Sequence, residues 1–335
     1  MKICVYGAGA VGGNLAVGLM SLPRAEISVI ARGPHLEAIQ KRGLKLVTAN
    51  SETIGTPLAA TGNPDELPPQ DIVFVTLKSP ALSAAAPGIA RLLKPEGHVV
   101  FILNGIPWWW HHGLQGPGQH LALVDPHKAL WDGLGASRCI GCAVYSMNEV
   151  IEPGVIFHRG NNSWLLGEPN NQMTERLQAT VALMRQAGLG AEASNDIRRH
   201  ILVKLLRNSA LNPLCALTRL DVQQLAKRAD LVRICEDLSL EVARAAQAMG
   251  WNIDEAQQAE VRIWQAGGAL SGDKVSGSKP SMLQDILTGR PTEIDGILGE
   301  MQQLARTYGV ATPAIDLMVT LVKGLEASLN VSAPV

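Results

Sequence analysis

The sequence predicts an α/β protein, with an N-terminal Rossmann-type dinucleotide-binding domain followed by an all-helical second domain. Short β-rich runs alternate with helical stretches through the first half, and a Gly-x-Gly-x-x-Gly stands directly after the first of those runs. Strand signals nearly vanish beyond Ser194, where long helical periodicities take over.

The runs Lys2–Tyr6, Ile27–Ile30, Leu44–Thr48, Ile72–Thr76 and His98–Leu103 read as strands. They are mostly continuous apolar stretches of the kind that a parallel sheet buries on both faces. From Ile140 to Gly167 the pattern changes to short strands separated by Asn, Pro and Gly. A helix over Thr174–Gln186, stopped by Gly188, and a strand near Ala191 complete this half. The spacing then predicts helices over Ile197–Leu217, Val222–Met249 with Gly250 as its stop, Thr292–Tyr308 with Gly309, and Thr312–Ser328 with Pro313 in its first turn. Between them Ala266–Pro280, rich in Gly, Ser and Lys, reads as a mobile loop. The expected domains are residues 1–193 and 194–335.

Composition narrows the partners. With 335 residues the chain is long enough for two sizeable cores, and 29 basic against 30 acidic residues give a formal net charge of -1. No basic tail or aromatic-basic interleaving is present, so nucleic acid is not expected as a partner. The apolar start, Ile3 to Leu22, resembles a signal peptide only superficially, because Gly7, Gly9, Gly12, Gly13 and Asn14 interrupt it. The run Val99–Leu103 is far too short to span a bilayer, so no membrane and a cytoplasmic setting are expected. Five cysteines in a chain of this length make no disulfide framework. Cys139 and Cys142 form a C-x-x-C inside a predicted strand, where the helix N-terminus that would lower a thiol pKa is missing.

The glycine motif Gly7-Ala8-Gly9-Ala10-Val11-Gly12 carries the cofactor expectation. Gly7 permits the tight turn, Gly9 lets backbone approach a pyrophosphate, and Gly12 allows close helix-to-strand packing. An NAD site wants Asp or Glu at the end of the second strand to bind the ribose hydroxyls, but here Ala31 and Arg32 stand there. Arg32 suits the 2′-phosphate of NADPH. Lys78 and Asn104 follow the strands ending at Thr76 and Leu103, the rim where open α/β sheets bind ligands. A solvated loop end for Lys78 and a plain Asn-Gly turn for Asn104 are the simpler alternatives.

In the second half Lys204, Asn208 and Asn212 recur at four-residue spacing, placing an amine and two amides along one helix face. A hydride delivered to a ketone carbon leaves an alkoxide that needs a proton. An ammonium beside the carbonyl both polarises it and donates that proton, the task Lys204 fits. His200, one turn earlier, is a competing acid that reads more simply as a polar first-turn residue. Ser281 opens a short helix, where its hydroxyl and free backbone NH groups suit a carboxylate. Thr292-Glu293-Ile294-Asp295 opens the next helix; Thr292 and Asp295 resemble a capping box, and spacing does not choose between Glu293 and Asp295 as a functional acid. No metal-ligand cluster or hydrolytic nucleophile motif is visible.

Together these motifs resemble the ketopantoate reductase (2-dehydropantoate 2-reductase) family over nearly the whole chain. The resemblance rests on G-x-G-x-x-G, Leu77-Lys78, Asn104-Gly105, K-x3-N-x3-N from Lys204 to Asn212, and Ser281 to Ile286 followed by Thr292 to Asp295. It implies NADPH-dependent reduction of a small 2-oxo acid in the cleft between the domains, namely 2-dehydropantoate to pantoate in pantothenate biosynthesis, with a homodimer as one admitted assembly. It further implies Lys204 as general acid, Asn208 and Asn212 as substrate-binding amides, Ser281 as a carboxylate contact and Glu293 as partner of the substrate's hydroxyl. Asn104 would stand near nicotinamide and substrate, with Arg32 and Lys78 on cofactor phosphate.

Two departures keep a different 2-oxo acid open. Ala216 to Val222 lacks the further asparagine that some members carry, and Asn104-Gly105 runs into the aromatic segment Ile106-Pro107-Trp108-Trp109-Trp110-His111-His112. That segment reads either as packing between domains or as a wall of an altered substrate pocket. An NADPH-binding regulator without turnover is the reading from another class; it has no need of the proton donor Lys204.

Overall fold

The alternating apolar runs of the first half assemble into a single mixed sheet. In the computed structural model, which describes residues 1–115, 120–266 and 279–329, the strands are β1 Lys2–Tyr6, β2 Glu26–Ile30, β3 Leu44–Val47, β4 Glu52–Gly55, β5 Ala59–Thr61, β6 Gln70–Val75, β7 Leu93–Ile102, β8 Cys139–Glu152, β9 Val155–Gly167 and β10 Gly190–Ala193. Their order is β4-β3-β9-β8-β7-β6-β1-β2-β5, with β10 paired to β9. The central ladder β8-β7-β6-β1-β2-β5 is parallel throughout, and only β3-β4 and β8-β9 run antiparallel. Ile3, Cys4 and Val5 of β1 are all 0% exposed, which explains the unbroken apolar reading of this strand. The helices of this half are α1 Ala10–Met20, α2 Gly33–Arg42, α3 Leu82–Leu92, α4 Ala129–Gly133 and α5 Glu175–Gln186.

Contacts divide the chain into two units. The first comprises Met1–Leu103, Trp108–His120 and Asp125–Ile197; the second comprises Asn104–Pro107, Leu121–Val124 and Arg198–Val335. The second is helical: α6 Ile197–Thr218, which begins at the last residue of the first unit, then α7 Val222–Ala226, α8 Ala229–Ala248, α9 Asp254–Gln265, α10 Ser281–Leu287, α11 Glu300–Thr307 and α12 Pro313–Ser328. α9, α11 and α12 all pack on α8. Two carboxylates show how polar groups tie this bundle: Glu241 of α8 caps α12 by accepting the Ala314 and Ile315 amides at 2.9 Å each, and Glu260 of α9 takes a fork from Arg207 of α6 at 3.0 and 3.1 Å.

The structure corrects several elements. Ile140–Gly167 is not a set of short strands but one long hairpin, β8 and β9, turned at Pro153-Gly154. Register shifts near Met147 and Val150 absorb residues that read as breaks. The short strands β4 and β5 carry too little apolar pattern to stand out. The helix expected over Val222–Met249 is two helices: a complete capping box of Asp221 and Gln224 opens a short α7 that ends at Ala226, and α8 starts afresh at Ala229 after the extended Arg228. The helix expected from Thr292 begins as a π-helical turn, Asp295–Gly299, before α11. α9 was not anticipated. Of the loop expected over Ala266–Pro280, residues 267–278 lie outside the described residues. Among the described residues no helix is long and apolar enough to cross a membrane.

Candidate functional site

In the first unit the parallel ladder brings the carboxyl ends of β1, β2 and β6 to one edge of the sheet, and the glycine motif is built there. Gly7 adopts φ +103°, and its amide and that of Ala8 both bond the Ile30 carbonyl at 3.0 Å, tying the loop to the end of β2. A Cβ on Gly12 would lie 2.2 Å from the Gly7 carbonyl oxygen and 2.3 Å from the Thr76 hydroxyl, so helix and strand meet with no room for a side chain. A Cβ on Gly9 would meet nothing within 4 Å, leaving open space where backbone can approach a ligand. α1 starts immediately at Ala10, with the free amides of its first turn at this edge. The residues present thus fit a dinucleotide pyrophosphate. Arg32 is the exposed N-cap of α2 in extended conformation, and Lys78 is half-buried just beyond β6. The sequence reading did not select Thr76, whose hydroxyl donates to the Gly7 carbonyl at 2.5 Å, or His35, which bonds the Ala8 carbonyl. No spacing signal marks either.

In the second unit, three of the expected residues form one hydrogen-bonded chain. Lys204 Nζ donates to Asn104 Oδ1 at 2.8 Å, and Asn104 Nδ2 donates to Glu293 Oε2 at 3.1 Å. Asn104 therefore faces an ammonium with its carbonyl oxygen and a carboxylate with its amide, the arrangement its two ends require. Asn208 is half-buried and Asn212 is 5% exposed on the same helix as Lys204, and neither side-chain amide takes a partner among the described residues. Ser281 is the half-buried first residue of α10, following Pro280. The geometry separates the two acids that spacing leaves alike. Glu293 is buried and bonded to Asn104, whereas Asp295 pairs with Lys323 at 2.7 Å. The Thr292 hydroxyl accepts the Ile294 amide at 3.2 Å and so forms a local turn, not the expected box with Asp295.

Asn104 is held from both sides. Gly105, at φ +75°, passes so close to the π-helical turn that a Cβ there would fall 2.0 Å from the Gly296 carbonyl oxygen, which accepts the Ile106 amide at 2.8 Å. Directly after that turn Glu300, 1% exposed, accepts the amides of Leu123 and Val124 at 2.8 and 3.2 Å. Burial outweighs those bonds and, with Asp295 nearby, pushes the Glu300 carboxyl up from 4.5 to about 7. An acid raised in this way holds its proton in the folded chain after the unfolded chain has lost it. Its contribution to stability is complete below 4.5 and is lost as pH rises through about 7. Glu300→Gln keeps an oxygen acceptor without the charge. The expected result is a urea midpoint that falls less between pH 4.5 and pH 8 than the parent's; equal slopes would refute this assignment.

The aromatic segment packs within the first unit. Trp108, Trp109 and Trp110 are each 1% exposed. Trp108 meets Phe101 edge-on at 5.5 Å and Trp131 at 6.4 Å, and Trp109 covers Gly141, where a Cβ would stand 2.3 Å from its ring. Cys139 and Cys142 are buried free thiols on β8, and burial pushes the Cys139 thiol well above its ordinary value, which removes the thiolate that redox chemistry needs.

A glycine-loop edge on the parallel ladder of a mixed sheet, with a helical unit carrying an amine-amide-carboxylate chain, defines an oxidoreductase with a dinucleotide-binding fold. The family model described as Ketopantoate reductase PanE/ApbA matches residues 3–171, and its C-terminal counterpart matches residues 196–326. The chain belongs to the ketopantoate reductase family. A 2-dehydropantoate 2-reductase from Mesorhizobium japonicum is 38% identical over 327 residues, covering 97% of this chain and 98% of that protein. The structure of 2-dehydropantoate 2-reductase from Geobacter metallireducens superposes with a TM-score of 0.83 at 27% identity, covering 97% of this chain and 99% of that one. The ternary structure of D-mandelate dehydrogenase with NADH and anilino(oxo)acetate shares the fold, with a TM-score of 0.83 at 24% identity over 99% of this chain and 100% of that one.

Proposed function

We propose that this chain reduces the ketone of a 2-oxo acid, 2-dehydropantoate, to the 2-hydroxy acid pantoate, with NADPH as reductant. The observation that carries the proposal is the bonded chain from Lys204 through Asn104 to Glu293. A bound reduced nicotinamide supplies the hydride. Lys204 then donates a proton to the alkoxide oxygen, and before that its charge polarises the carbonyl. Asn104 helps to aim the ammonium, because its Oδ1 accepts one of the Nζ donors at 2.8 Å. Glu293 orders Asn104 and accepts from the substrate's hydroxyl. The amides of Asn208 and Asn212, which take no partner among the described residues, and the hydroxyl of Ser281 serve the substrate's polar groups, the carboxylate among them.

The relative at 38% identity bears the name of this reaction, which favours ketopantoate among 2-oxo acids. The test is loss of NADPH absorbance with ketopantoate and with a panel of other 2-oxo acids. Fastest turnover of another acid would reassign the substrate, and binding without turnover of any would return the chain to the regulator reading. A cytoplasmic setting and a homodimer are the remaining expectations, the second open to sedimentation velocity.

Cofactor choice rests on Gly7 to Gly12, Arg32 and Lys78. With an arginine and no carboxylate at the end of β2, NADPH should bind about 10-fold or more tightly than NADH, the worth of one charge-assisted contact. Arg32→Asp should narrow or reverse that ratio in a fluorescence titration. Equal affinities in the parent would sink the claim.

A further inference from the structure

We propose that His35 is a positioning residue of the dinucleotide site: its ring locks the glycine loop to the first turn of α2. The proposal rests on the reading that this loop holds the cofactor phosphates.

The ring's tautomer follows from its partners. The Gly154 amide donates to His35 Nδ1 at 3.0 Å, so Nδ1 carries no proton and Nε2 does. Nε2 lies 2.7 Å from the Ala8 carbonyl oxygen, which can only accept. Both ring nitrogens are thus used, and the ring has one orientation. Its backing is firm as well. Gly154 turns the β8-β9 hairpin at φ +80°, its carbonyl accepts the Lys45 amide at 2.8 Å, and a Cβ there would stand 3.0 Å from Ala38 of α2.

At the other end, Ala8 precedes the N-cap Gly9, so its carbonyl lies outside the α1 ladder, whose first bond runs from Gly13 to Gly9. His35 supplies the missing donor. In a trans peptide the Ala8 carbonyl and the Gly9 amide point in opposite directions, and Gly9 donates to Gly7 at 2.7 Å. Holding the carbonyl therefore sets the plane of the Ala8-Gly9 peptide, and with it the direction of the next amides, Ala10 and Val11, which open α1. His35 is also the third residue of α2 and follows the N-cap Arg32 by one turn. The same bond fixes where Arg32 stands relative to the loop, so the phosphate cradle and the candidate 2′-phosphate contact form one preorganised edge.

Two near-isosteric variants separate the ring's bonds. His35→Gln places an amide nitrogen near the position of Nε2 and keeps the Ala8 bond; His35→Asn places an oxygen near Nδ1 and keeps only the Gly154 bond. Dissociation constants for NADPH and NADH would be measured by fluorescence on the full chain, with kcat at saturating NADPH and the melting temperature alongside. The parent's binding is measured before any variant's, and a parent that binds neither dinucleotide overturns the loop reading and the proposal with it. Given a parent that binds, His35→Gln should stay within about 3-fold of it. His35→Asn should weaken both dinucleotides by about 10-fold, the loss expected for one well-placed bond, with kcat at saturation nearly unchanged. A 10-fold loss in His35→Gln, the reverse order, or identical affinities for the two variants overturns the positioning role while leaving the loop reading intact.

Discussion

Replacing Lys204 by Ala is expected to lower kcat about 100-fold or more while NADPH affinity stays within about 3-fold of the parent. The amine is the one proton donor in the bonded chain of the second unit, and its 2.8 Å bond to Asn104 helps to orient it. Truncation leaves Asn104 held by Glu293, and Lys204 is half-buried, so loss of the amine should not loosen the turn around Gly105. Cofactor affinity should hold because the groups assigned to the dinucleotide, Gly7 to Gly12 with Arg32, belong to the first unit. Steady-state kinetics with ketopantoate and a separate NADPH titration read the two quantities. A variant with near-parent kcat would remove Lys204 as the acid.

Trp109→Ala should lower folding stability by about 3 to 5 kcal/mol, the usual cost of truncating a fully buried tryptophan, and leave substrate ranking unchanged. The ring fills the space above Gly141 so tightly that not even a methyl would fit between them. Alanine there leaves a void on the sheet that the rigid β8 backbone cannot close. The discriminating measurement is the ratio of kcat/KM for ketopantoate to that for a bulkier 2-oxo acid, taken with the urea midpoint. A changed ratio at parent stability would restore the pocket-wall reading of this segment. Trp108, stacked edge-on against Phe101 and Trp131, should behave the same way.

How much of this was legible beforehand follows from the range of each interaction. The glycine loop could be read because its requirements are local: a tight turn, an open approach and a close packing contact, all within six positions of one strand end. The face of Lys204, Asn208 and Asn212 could be read because helix periodicity alone aligns them. The burial of Trp108 to Trp110 could not, since an aromatic run looks the same in sequence whether it lines a pocket or fills a core. Nor could β8 and β9, whose bulges hide the alternation by which a long strand is recognised.

The sequence by itself thus determined the class of protein, the cofactor loop and the residue types a ketone reduction needs, because each depends on neighbours along the chain. Tertiary structure alone decided which acid meets Asn104. Asn104 stands 100 residues from Lys204 and 189 from Glu293, and only the closure of Gly105 on the π-helical turn makes the three one chain while sending Asp295 to Lys323. It also decided the role of His35, whose partners Ala8 and Gly154 lie 27 and 119 residues away. Hydrogen bonds act over about 3 Å of space whatever the separation along the chain, so contacts of this kind leave no periodic trace in a sequence.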